Sequence, residues 1–186
     1  MKLFFDRVVS FLLVLILSPV MLVIAILLKF TSEGTILYWS ERIGKNNVLF
    51  LMPKFRTMRQ HTPVLATHLL TDADDYLTFL GQCLRKMSLD ELPQLFSILK
   101  GDMSFVGPRP ALFNQYDLIE LRTKEGVHVL TPGLTGWAQI NGRDELTIQE
   151  KVACDKYYLC NFSFILDCKI MVQTIPKILK CDNVYR

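Results

Sequence analysis

The longest apolar run of the chain lies near its N-terminus. Residues 8–28 contain no charged side chain, whereas Lys2 and Arg7 precede the run and Lys29 follows it. A helix of this length is about 30 Å long, which equals the thickness of the hydrocarbon core of a bilayer. The pattern therefore predicts a membrane helix, to which we assign residues 1–30.

Two features bear on how this helix lies in the membrane. Ser18-Pro19 is in the middle of the run, and a proline there removes a backbone hydrogen bond, which predicts a kink. Cationic residues flank both ends of the run, so the positive-inside rule gives no orientation. From the residues alone two arrangements stay open: a kinked helix that crosses the bilayer, and a re-entrant helix that leaves by the face it entered.

Shorter patterns in residues 31–186 predict a single cytosolic domain. Two apolar runs on either side of a Gly-Lys-Asn-Asn turn at 44–47 predict a short β-hairpin. The segments 101–110 and 131–143, which are rich in Gly, Pro and Asn, are predicted to be loops. Apolar positions at helical spacing predict helices over residues 74–86, 89–99, 111–124, 146–160 and 164–180. The predicted fold class is therefore α+β and mainly helical.

The last predicted helix, residues 164–180, combines apolar positions with three lysines. It also contains Pro176, which we expect to bend or end it. A helix of this composition fits the membrane interface, and it equally fits a core on which it packs as an ordinary amphipathic helix. The predicted fold includes it as an interfacial amphipathic helix.

Composition and charge narrow the class of protein. The 186 residues suffice for one domain of ordinary size, and 21 Lys and Arg against 18 Asp and Glu give a net charge of only +3. This small excess does not indicate nucleic acid as a partner. The five cysteines are an odd number without Cys-x-x-Cys spacing, which favours a reducing compartment and indicates neither a zinc ribbon nor a redox dithiol.

A carboxylate pair is the most informative candidate for chemistry. Ser88 and Glu91 have the spacing of a capping box, and Asp90 in the first turn would suit the helix dipole. A carboxylate at a helix N-terminus is held ionised, as a carboxylate nucleophile must be. Arg85 lies just upstream and could clamp a phosphate oxygen. The same residues therefore fit two interpretations, a helix cap and a catalytic nucleophile.

Three further segments carry candidate binding residues. A pair of cations two positions apart in the predicted hairpin would face one side of a strand. One arginine lies between two prolines, which limit the freedom of its loop. The three glycines of the segment 131–143 would let a ligand approach the backbone closely. The candidates in these segments are Lys54, Arg56, Pro108, Arg109, Pro110, Gln139 and Arg143.

Four motifs follow one another along the chain. They are KFRTM at 54–58, LRKMSLDELPQL at 84–95, LKGDMSFVGPRP at 99–110 and TPGLTGWAQINGR at 131–143. In this order they resemble the bacterial sugar transferase family, and more narrowly its small monotopic phosphoglycosyl transferases. The resemblance extends from the N-terminal apolar helix to Lys180, and the four motifs in series make it specific.

The resemblance implies an activity and a set of roles. The family transfers a sugar 1-phosphate from a UDP-sugar to polyprenyl (undecaprenyl) phosphate, releases UMP and requires Mg²⁺. Asp90 would be the nucleophile that forms a covalent phosphosugar intermediate in a ping-pong reaction, and a ligand of the magnesium ion. Glu91 would be its dyad partner, Arg85 would lie at the phosphate site, and the loop 108–110 would lie near the nucleotide.

The resemblance also implies a location and partners. The membrane helix of the family is re-entrant and bends at a Ser-Pro pair, which matches Ser18-Pro19. We therefore expect a monotopic protein on the cytoplasmic face of the bacterial inner membrane. Its expected partners are a UDP-sugar, polyprenyl phosphate, the lipid bilayer and downstream glycosyltransferases, and no nucleic acid.

Two questions stay open at this level. The sugar could be an acetamido sugar such as diacetylbacillosamine, N-acetylgalactosamine or N-acetylglucosamine, or it could be galactose or glucose. A different class of protein is the alternative to an enzyme: a non-catalytic, membrane-anchored module that binds phosphate or a nucleotide, with Ser88 and Glu91 serving only as helix caps.

Overall fold

Helices dominate the architecture, and two small sheets accompany them. The computed structural model describes residues 2–32, 34–60, 62–63, 76–142 and 145–179. The elements are α1 (Lys2–Thr31), β1 (Leu37–Ile43), β2 (Leu49–Phe55), α2 (Phe79–Lys86), α3 (Gln94–Lys100), β3 (Ser104–Val106), α4 (Tyr116–Lys124), β4 (Gly133–Thr135), α5 (Trp137–Ile140), α6 (Ile148–Cys160) and α7 (Phe164–Leu179). The predicted class, α+β and mainly helical, is confirmed.

The N-terminal helix α1 continues through Pro19. A proline has no N–H to donate, so the carbonyl of Leu15, one turn earlier, loses its usual helical partner. The Ser18 hydroxyl donates a hydrogen bond of 2.8 Å to this carbonyl. Since the side chain replaces the lost backbone donor, the Ser-Pro pair is accommodated within the helix. By length and composition α1 could cross a membrane.

One face of α1 forms part of the hydrophobic core. Near its C-terminal end, Ile24 and Leu28 are buried in a cluster with Phe55 of β2 and Leu84 of α2. Its N-terminal half packs against a second cluster, which lies between α3, β3 and α7. The opposite face of the helix exposes large apolar side chains along its whole length. The helix therefore has one face against the domain, whereas its other face is largely exposed.

Two buried polar side chains lie on the inner face of α1. The Asp6 carboxylate accepts a hydrogen bond of 2.7 Å from the Ser104 hydroxyl of β3. The Ser10 hydroxyl donates one of 2.7 Å to the carbonyl of Leu95 in α3. Both groups are almost completely excluded from solvent, so these bonds satisfy them. The apolar sequence pattern gave no indication of this polar attachment.

The predicted hairpin is confirmed. β1 and β2 are antiparallel and in register from Leu37 opposite Phe55 to Ile43 opposite Leu49. Asn46 and Asn47 adopt positive φ angles in the connecting turn, a conformation that asparagine tolerates better than most residues. The hairpin brings the end of β2, which carries Lys54, beside the turn that connects α2 and α3.

The helices on either side of the carboxylate pair differ from the prediction. α2 begins at Phe79, where Thr78 accepts a hydrogen bond from the amide of Gly81; the predicted start at 74 lies outside the described residues. The predicted helix over 89–99 is divided into a 3-10 turn at Leu89–Glu91 and α3. Its predicted capping box is wrong, because Ser88 has a φ of 54° and caps nothing with its side chain.

The two segments predicted as loops contain a short parallel sheet, so that prediction is wrong in part. Ser104 of β3 lies opposite Gly133 of β4, and Val106 lies opposite Thr135. Glycine permits this pairing: a Cβ on Gly133 would lie 2.1 Å from the amide nitrogen of Gly107. The glycines expected to admit a ligand therefore admit another backbone segment instead.

Of the remaining helices, α4 and α6 follow the prediction with later starts and α7 begins at the predicted residue Phe164, whereas α5 lies in the segment 131–143 that was predicted to be a loop. α4 begins at Tyr116, and α6 begins after a capping box formed by Thr147 and Glu150. α7 extends to Leu179 with Pro176 inside it, so this proline does not end the helix. Ile170 of α7 is buried, whereas Ile165, Val172 and Ile175 are exposed. The interfacial role predicted for this helix stays a prediction.

We predict that Gly81→Ala destabilises the protein although it lies within α2. A helical Gly→Ala change normally stabilises by about 1 kcal/mol. Here the new Cβ would lie 2.1 Å from the Thr57 carbonyl oxygen, which is a backbone atom that does not yield easily. We expect a net loss of about 1–3 kcal/mol, measured by thermal unfolding.

The exposed neighbour in the same helix provides the control for this test. Gln82→Ala should change stability by less than about 0.5 kcal/mol, because its side chain faces solvent. A higher unfolding temperature for Gly81→Ala than for the wild type would contradict the close approach of α2 to Thr57.

Candidate active site

The carboxylate pair lies on the 3-10 turn Leu89–Glu91 between α2 and α3. The residue before this turn, Ser88, has left-handed backbone angles that are uncommon for any residue except glycine. Such angles cost free energy and often occur at functional sites. The turn buries Asp90, of which 7% is exposed, and half-buries Glu91 beside it.

Glu91 binds two cations that come from two different parts of the fold. Its Oε1 atom accepts a hydrogen bond of 2.8 Å from Lys54 Nζ, at the end of β2, and one of 2.7 Å from Arg109 Nη2. Burial alone would raise the pKa of Glu91, but Arg109 and Lys54 outweigh it and hold the pKa well below its usual range. Glu91 is therefore ionised, and its Oε1 atom already accepts hydrogen bonds from two cations.

Asp90 has a different environment. Its carboxylate accepts no hydrogen bond from any side chain or amide in the described part of the chain. Burial raises the pKa of Asp90, the charge of Glu91 adds to this, and Lys54 and Arg85 oppose it. From the sequence we expect a helix N-terminus to stabilise the charge of Asp90; in the structure Asp90 lies on a buried 3-10 turn before α3, and burial shifts its pKa in the opposite direction.

Arg85 and Arg42 complete the charges around the pair. Arg85 donates a hydrogen bond of 3.0 Å to the Thr57 hydroxyl, and its charge acts on Asp90. Burial lowers the pKa of Arg85. Arg42 of β1 was missed by the sequence analysis; burial and the neighbouring Arg109 lower its pKa to about 10. Its only sequence signal is a cation in a strand that is otherwise largely apolar.

The charge balance of the described residues favours anions. Four cations act electrostatically on one another and on the carboxylate pair, namely Arg42, Lys54, Arg85 and Arg109. Two carboxylates leave two positive charges in excess. A phosphorylated substrate would supply the missing negative charge in a partly desolvated environment.

The structure places the loop of Arg109 beside the carboxylates. Pro108 and Pro110 are buried, whereas the Arg109 side chain keeps 36% of its surface exposed. This partly exposed side chain can therefore contact a ligand while Nη2 binds Glu91. The predictions for Lys54, Arg85 and Arg109 thus converge on one site.

The other predicted binding residues lie elsewhere or are not described. Arg56 follows the end of β2 and donates to the Thr35 hydroxyl at 2.6 Å instead of to the carboxylates. Gln139 of α5 lies against Gly136, and both polar atoms of its buried amide lack a partner in the described structure. Arg143 lies outside the described residues.

The residues of the site fit the Mg²⁺ that the resemblance implies only if the substrate supplies some of the metal's ligands. In the described part of the chain, no group of three or more His, Cys, Asp or Glu side chains could hold a metal ion. Magnesium is commonly bound by one or two carboxylates together with substrate phosphates. Asp90 supplies such a carboxylate, because its oxygens accept no hydrogen bond from the described residues, whereas Glu91 is already bound to two cations.

The carboxylate pair and the cations around it favour an anionic ligand, and the long apolar helix indicates association with a membrane. Comparison with known proteins then gives the family of the chain. The family model described as bacterial sugar transferase matches residues 1–181, and the chain belongs to this family. The family resemblance predicted from the four motifs is confirmed.

Three relatives show how the family varies. A UDP-N-acetylgalactosamine-undecaprenyl-phosphate N-acetylgalactosaminephosphotransferase of Aeromonas hydrophila is 39% identical over 87% of this chain, which spans 40% of that protein. The uncharacterized sugar transferase EpsL of Bacillus subtilis is 37% identical over 99% of this chain and 90% of its own length. A UDP-glucose:undecaprenyl-phosphate glucose-1-phosphate transferase of Caulobacter vibrioides is 36% identical over 97% of this chain and 70% of its own length.

We predict that neutralising the two carboxylates has opposite effects on stability. Ionised Asp90 is disfavoured in the fold, so Asp90→Asn should raise the unfolding temperature at neutral pH. Ionised Glu91 is favoured by its two cations, so Glu91→Gln should lower the unfolding temperature, with a loss of about 1.5–3 kcal/mol in the free energy of unfolding for a charge-assisted hydrogen bond. The measurement is thermal unfolding of both variants and the wild type across a pH series.

The pH dependence of the two effects follows from the direction of each shift. The raised pKa of Asp90 makes its ionisation costly above that pKa, and the gain of Asp90→Asn should vanish as the pH falls to the ordinary value of 3.8. The lowered pKa of Glu91 gives stability above the ordinary value of 4.5, which is lost as the pH falls through the lowered pKa. Effects of the same sign at neutral pH would contradict this division of charge.

Proposed function

We propose that the chain transfers a sugar 1-phosphate from a UDP-sugar to undecaprenyl phosphate and releases UMP. The observation that carries the proposal is the asymmetry of the carboxylate pair. Glu91 is bound to Lys54 and Arg109, whereas the Asp90 carboxylate beside it accepts no hydrogen bond from the described residues. A carboxylate with unoccupied oxygens next to an excess of positive charge is suited to attack a phosphorus atom.

The reaction proceeds in two displacements at one phosphorus atom. In the first, an Asp90 oxygen attacks the β-phosphorus of the UDP-sugar, a new P–O bond forms, and the bond to the α-phosphate oxygen breaks. UMP leaves with the electron pair of that bond, and the phosphosugar stays on Asp90 as a mixed anhydride. In the second, a phosphate oxygen of undecaprenyl phosphate attacks the same phosphorus, and Asp90 is regenerated as a carboxylate.

The neighbouring residues support both displacements electrostatically. Attack of a carboxylate on a diphosphate brings like charges together, which fixed cations offset. Arg109 keeps part of its side chain exposed, and Arg85 acts on Asp90 from the end of α2. A magnesium ion held by Asp90 and substrate phosphates would offset further negative charge. Glu91 keeps Lys54 and Arg109 in place between the two displacements.

The proposal extends to the substrate class but not to one sugar. The relative from Aeromonas hydrophila is named for N-acetylgalactosamine and that from Caulobacter vibrioides for glucose. Both names contain undecaprenyl phosphate as acceptor, which supports the same acceptor here. A panel of UDP-sugars, including the acetamido sugars, is needed to identify the donor. Downstream glycosyltransferases would then extend the lipid-linked product.

We predict that Asp90→Asn folds but loses turnover. Asparagine preserves the size of the side chain and removes the nucleophilic charge, and one catalytic group commonly contributes about 10²–10⁴-fold. The measurement is UMP release from a panel of UDP-sugars in detergent with undecaprenyl phosphate. Wild-type protein given a UDP-sugar without the lipid acceptor should release about one equivalent of UMP, and the peptide containing Asp90 should gain the mass of the phosphosugar.

The controls for this experiment distinguish loss of the catalytic nucleophile from loss of the fold. Asp102→Asn removes a carboxylate whose ion-pair partner, Lys100, is largely exposed, and it should retain turnover. Activity of Asp90→Asn above about a hundredth of wild type would contradict the covalent mechanism. No UMP release by the wild type across the donor panel would favour the non-catalytic binding module.

We propose further that α1 is re-entrant and that the domain lies on the cytoplasmic face of the inner membrane. Both ends of the helix contact the same domain: Lys2 Nζ lies 2.5 Å from Asp167 Oδ2 of α7, and Leu28 is buried against β2 and α2. A straight crossing would separate these ends by the hydrocarbon core, about 30 Å thick. A polar domain cannot contact both ends across such a layer.

The exposed apolar surface supports the bilayer as a partner. The outer face of α1 exposes large side chains such as Phe4, Ile16 and Phe30. This face continues onto α7, where the ring of Phe164 lies 5.6 Å from that of Phe5 in an edge-to-face contact. A surface of this extent on two adjacent helices fits the acyl region of a bilayer better than water.

We predict that the N-terminus of α1 stays on the side of the domain. A single cysteine is placed in a short extension before Met1, in a background whose five native cysteines are replaced. A membrane-impermeant thiol reagent should not label it in intact cells and should label it after lysis. Replacing the bend pair by Ser18→Ala with Pro19→Leu should allow some chains to cross and to become labelled.

A cysteine at the exposed residue Glu41 of the hairpin serves as the reference for the domain. It should stay unlabelled in intact cells in both backgrounds. Labelling of the N-terminal cysteine in intact cells with Ser18 and Pro19 present would show that α1 crosses the membrane.

A further inference from the structure

We propose that Arg122, anchored by Asp155, is a positioning residue that holds the backbone of the loop 108–110 and thereby sets the place of Arg109. This inference rests on the function proposed above, because it assigns Arg109 to the UDP-sugar. Neither residue lies in the four sequence motifs, and both were passed over by the sequence analysis.

The loop presents three successive carbonyl groups, and each accepts a hydrogen bond from a different element. The Pro108 carbonyl accepts from the amide of Gly133 at 2.9 Å. The Arg109 carbonyl accepts from Arg122 Nη1 at 2.8 Å, and the Pro110 carbonyl accepts from Arg42 Nη1 at 3.1 Å. The two prolines have no N–H, so the loop depends on these acceptors for its attachment.

Arg122 is itself fixed by a buried ion pair between α4 and α6. Its Nε and Nη2 atoms donate to Asp155 Oδ2 at 2.9 Å and 2.7 Å, while Nη1 remains for the loop. The side chains of Arg122 and Asp155 are 12% and 2% exposed. A planar guanidinium holds its donors on three separate nitrogens, so Nε and Nη2 reach the carboxylate while Nη1 reaches the carbonyl, whereas all donors of a lysine lie on one nitrogen.

This arrangement connects α6 to the active site through a short series of contacts. Asp155 holds Arg122, Arg122 holds the Arg109 carbonyl, and the Arg109 side chain binds Glu91. A buried ion pair contributes little net stability, since desolvation offsets the attraction. The ion pair of Arg122 and Asp155 matters here because it fixes geometry: the guanidinium of Arg109 must contact both Glu91 and a phosphate.

The test uses Arg122→Lys in the full chain in detergent. Lysine keeps the positive charge opposite Asp155 and gives up the donor to the Arg109 carbonyl. Asp155→Asn is the second variant, which weakens the anchor and leaves that donor in place. Glu125→Gln is the matched control, because Glu125 pairs with Lys156 between the same two helices, but at the surface and away from the loop.

The first readout does not depend on activity. Hydrogen exchange of a peptide that covers residues 107–112 should be faster in Arg122→Lys, moderately faster in Asp155→Asn and unchanged in Glu125→Gln. Unchanged exchange in both Arg122→Lys and Asp155→Asn would overturn the proposal. This outcome is distinct from failure of the proposed function, which would be absence of UMP release by the wild type.

The second readout asks whether Arg122 acts through Arg109. Arg109→Ala should lower kcat/KM for the UDP-sugar by about tenfold or more, mainly through KM, the size expected for a charge-assisted hydrogen bond. Arg122→Lys alone should lower kcat/KM for the UDP-sugar by about tenfold, again mainly through KM. When it is added to Arg109→Ala, it should lower kcat/KM further by less than about twofold. An equal effect of Arg122→Lys with and without Arg109 would mean that it serves only the general fold, which would overturn the proposal.

Discussion

The organisation of this site depends on the double ion pair of Glu91. Lys54 reaches it from the hairpin and Arg109 from the loop after β3, so one buried carboxylate joins three separate parts of the chain. Removing either cation would leave charge in a poorly solvated environment, which is costly. The same interaction directs one donor of each cation to Glu91, and the adjacent Asp90 has no donor among the described residues.

Two adjacent carboxylates with different surroundings have different tasks. Burial raises the pKa of Asp90, whereas two cations lower that of Glu91 despite its burial. Pairs of titratable groups that are driven apart in this way commonly divide the roles of an active site. In the proposed reaction, Glu91 organises the cations and Asp90 is the group that reacts. The left-handed backbone conformation of Ser88, just before the pair, costs additional free energy.

Sequence patterns predicted the local elements better than the contacts between them. The apolar run, the Asn-rich turn and the glycine at 101 identified α1, the hairpin and the end of α3, since each of these signals acts within a few residues. The pairing of β3 with β4 was not predicted, because it joins segments about thirty positions apart. The motifs identified Asp90, Glu91 and Arg109, but the contacts of Arg42 and Arg122 with the loop carbonyls depend on tertiary packing and leave no local pattern.

The position of the active site relative to α1 follows from the way this helix enters the core. Leu28 packs with Leu84 of α2, and Ser10 is hydrogen-bonded to the carbonyl of Leu95 in α3. These two short helices flank the turn that carries Asp90 and Glu91, so α1 holds both sides of the turn. If the outer face of α1 lies in the bilayer, as we propose, the depth of that helix sets the height of the carboxylates above the lipid. A soluble UDP-sugar and a lipid-borne phosphate must meet at one phosphorus atom, so a catalytic turn that is fixed directly to the membrane helix suits this reaction better than one joined to it by a flexible linker.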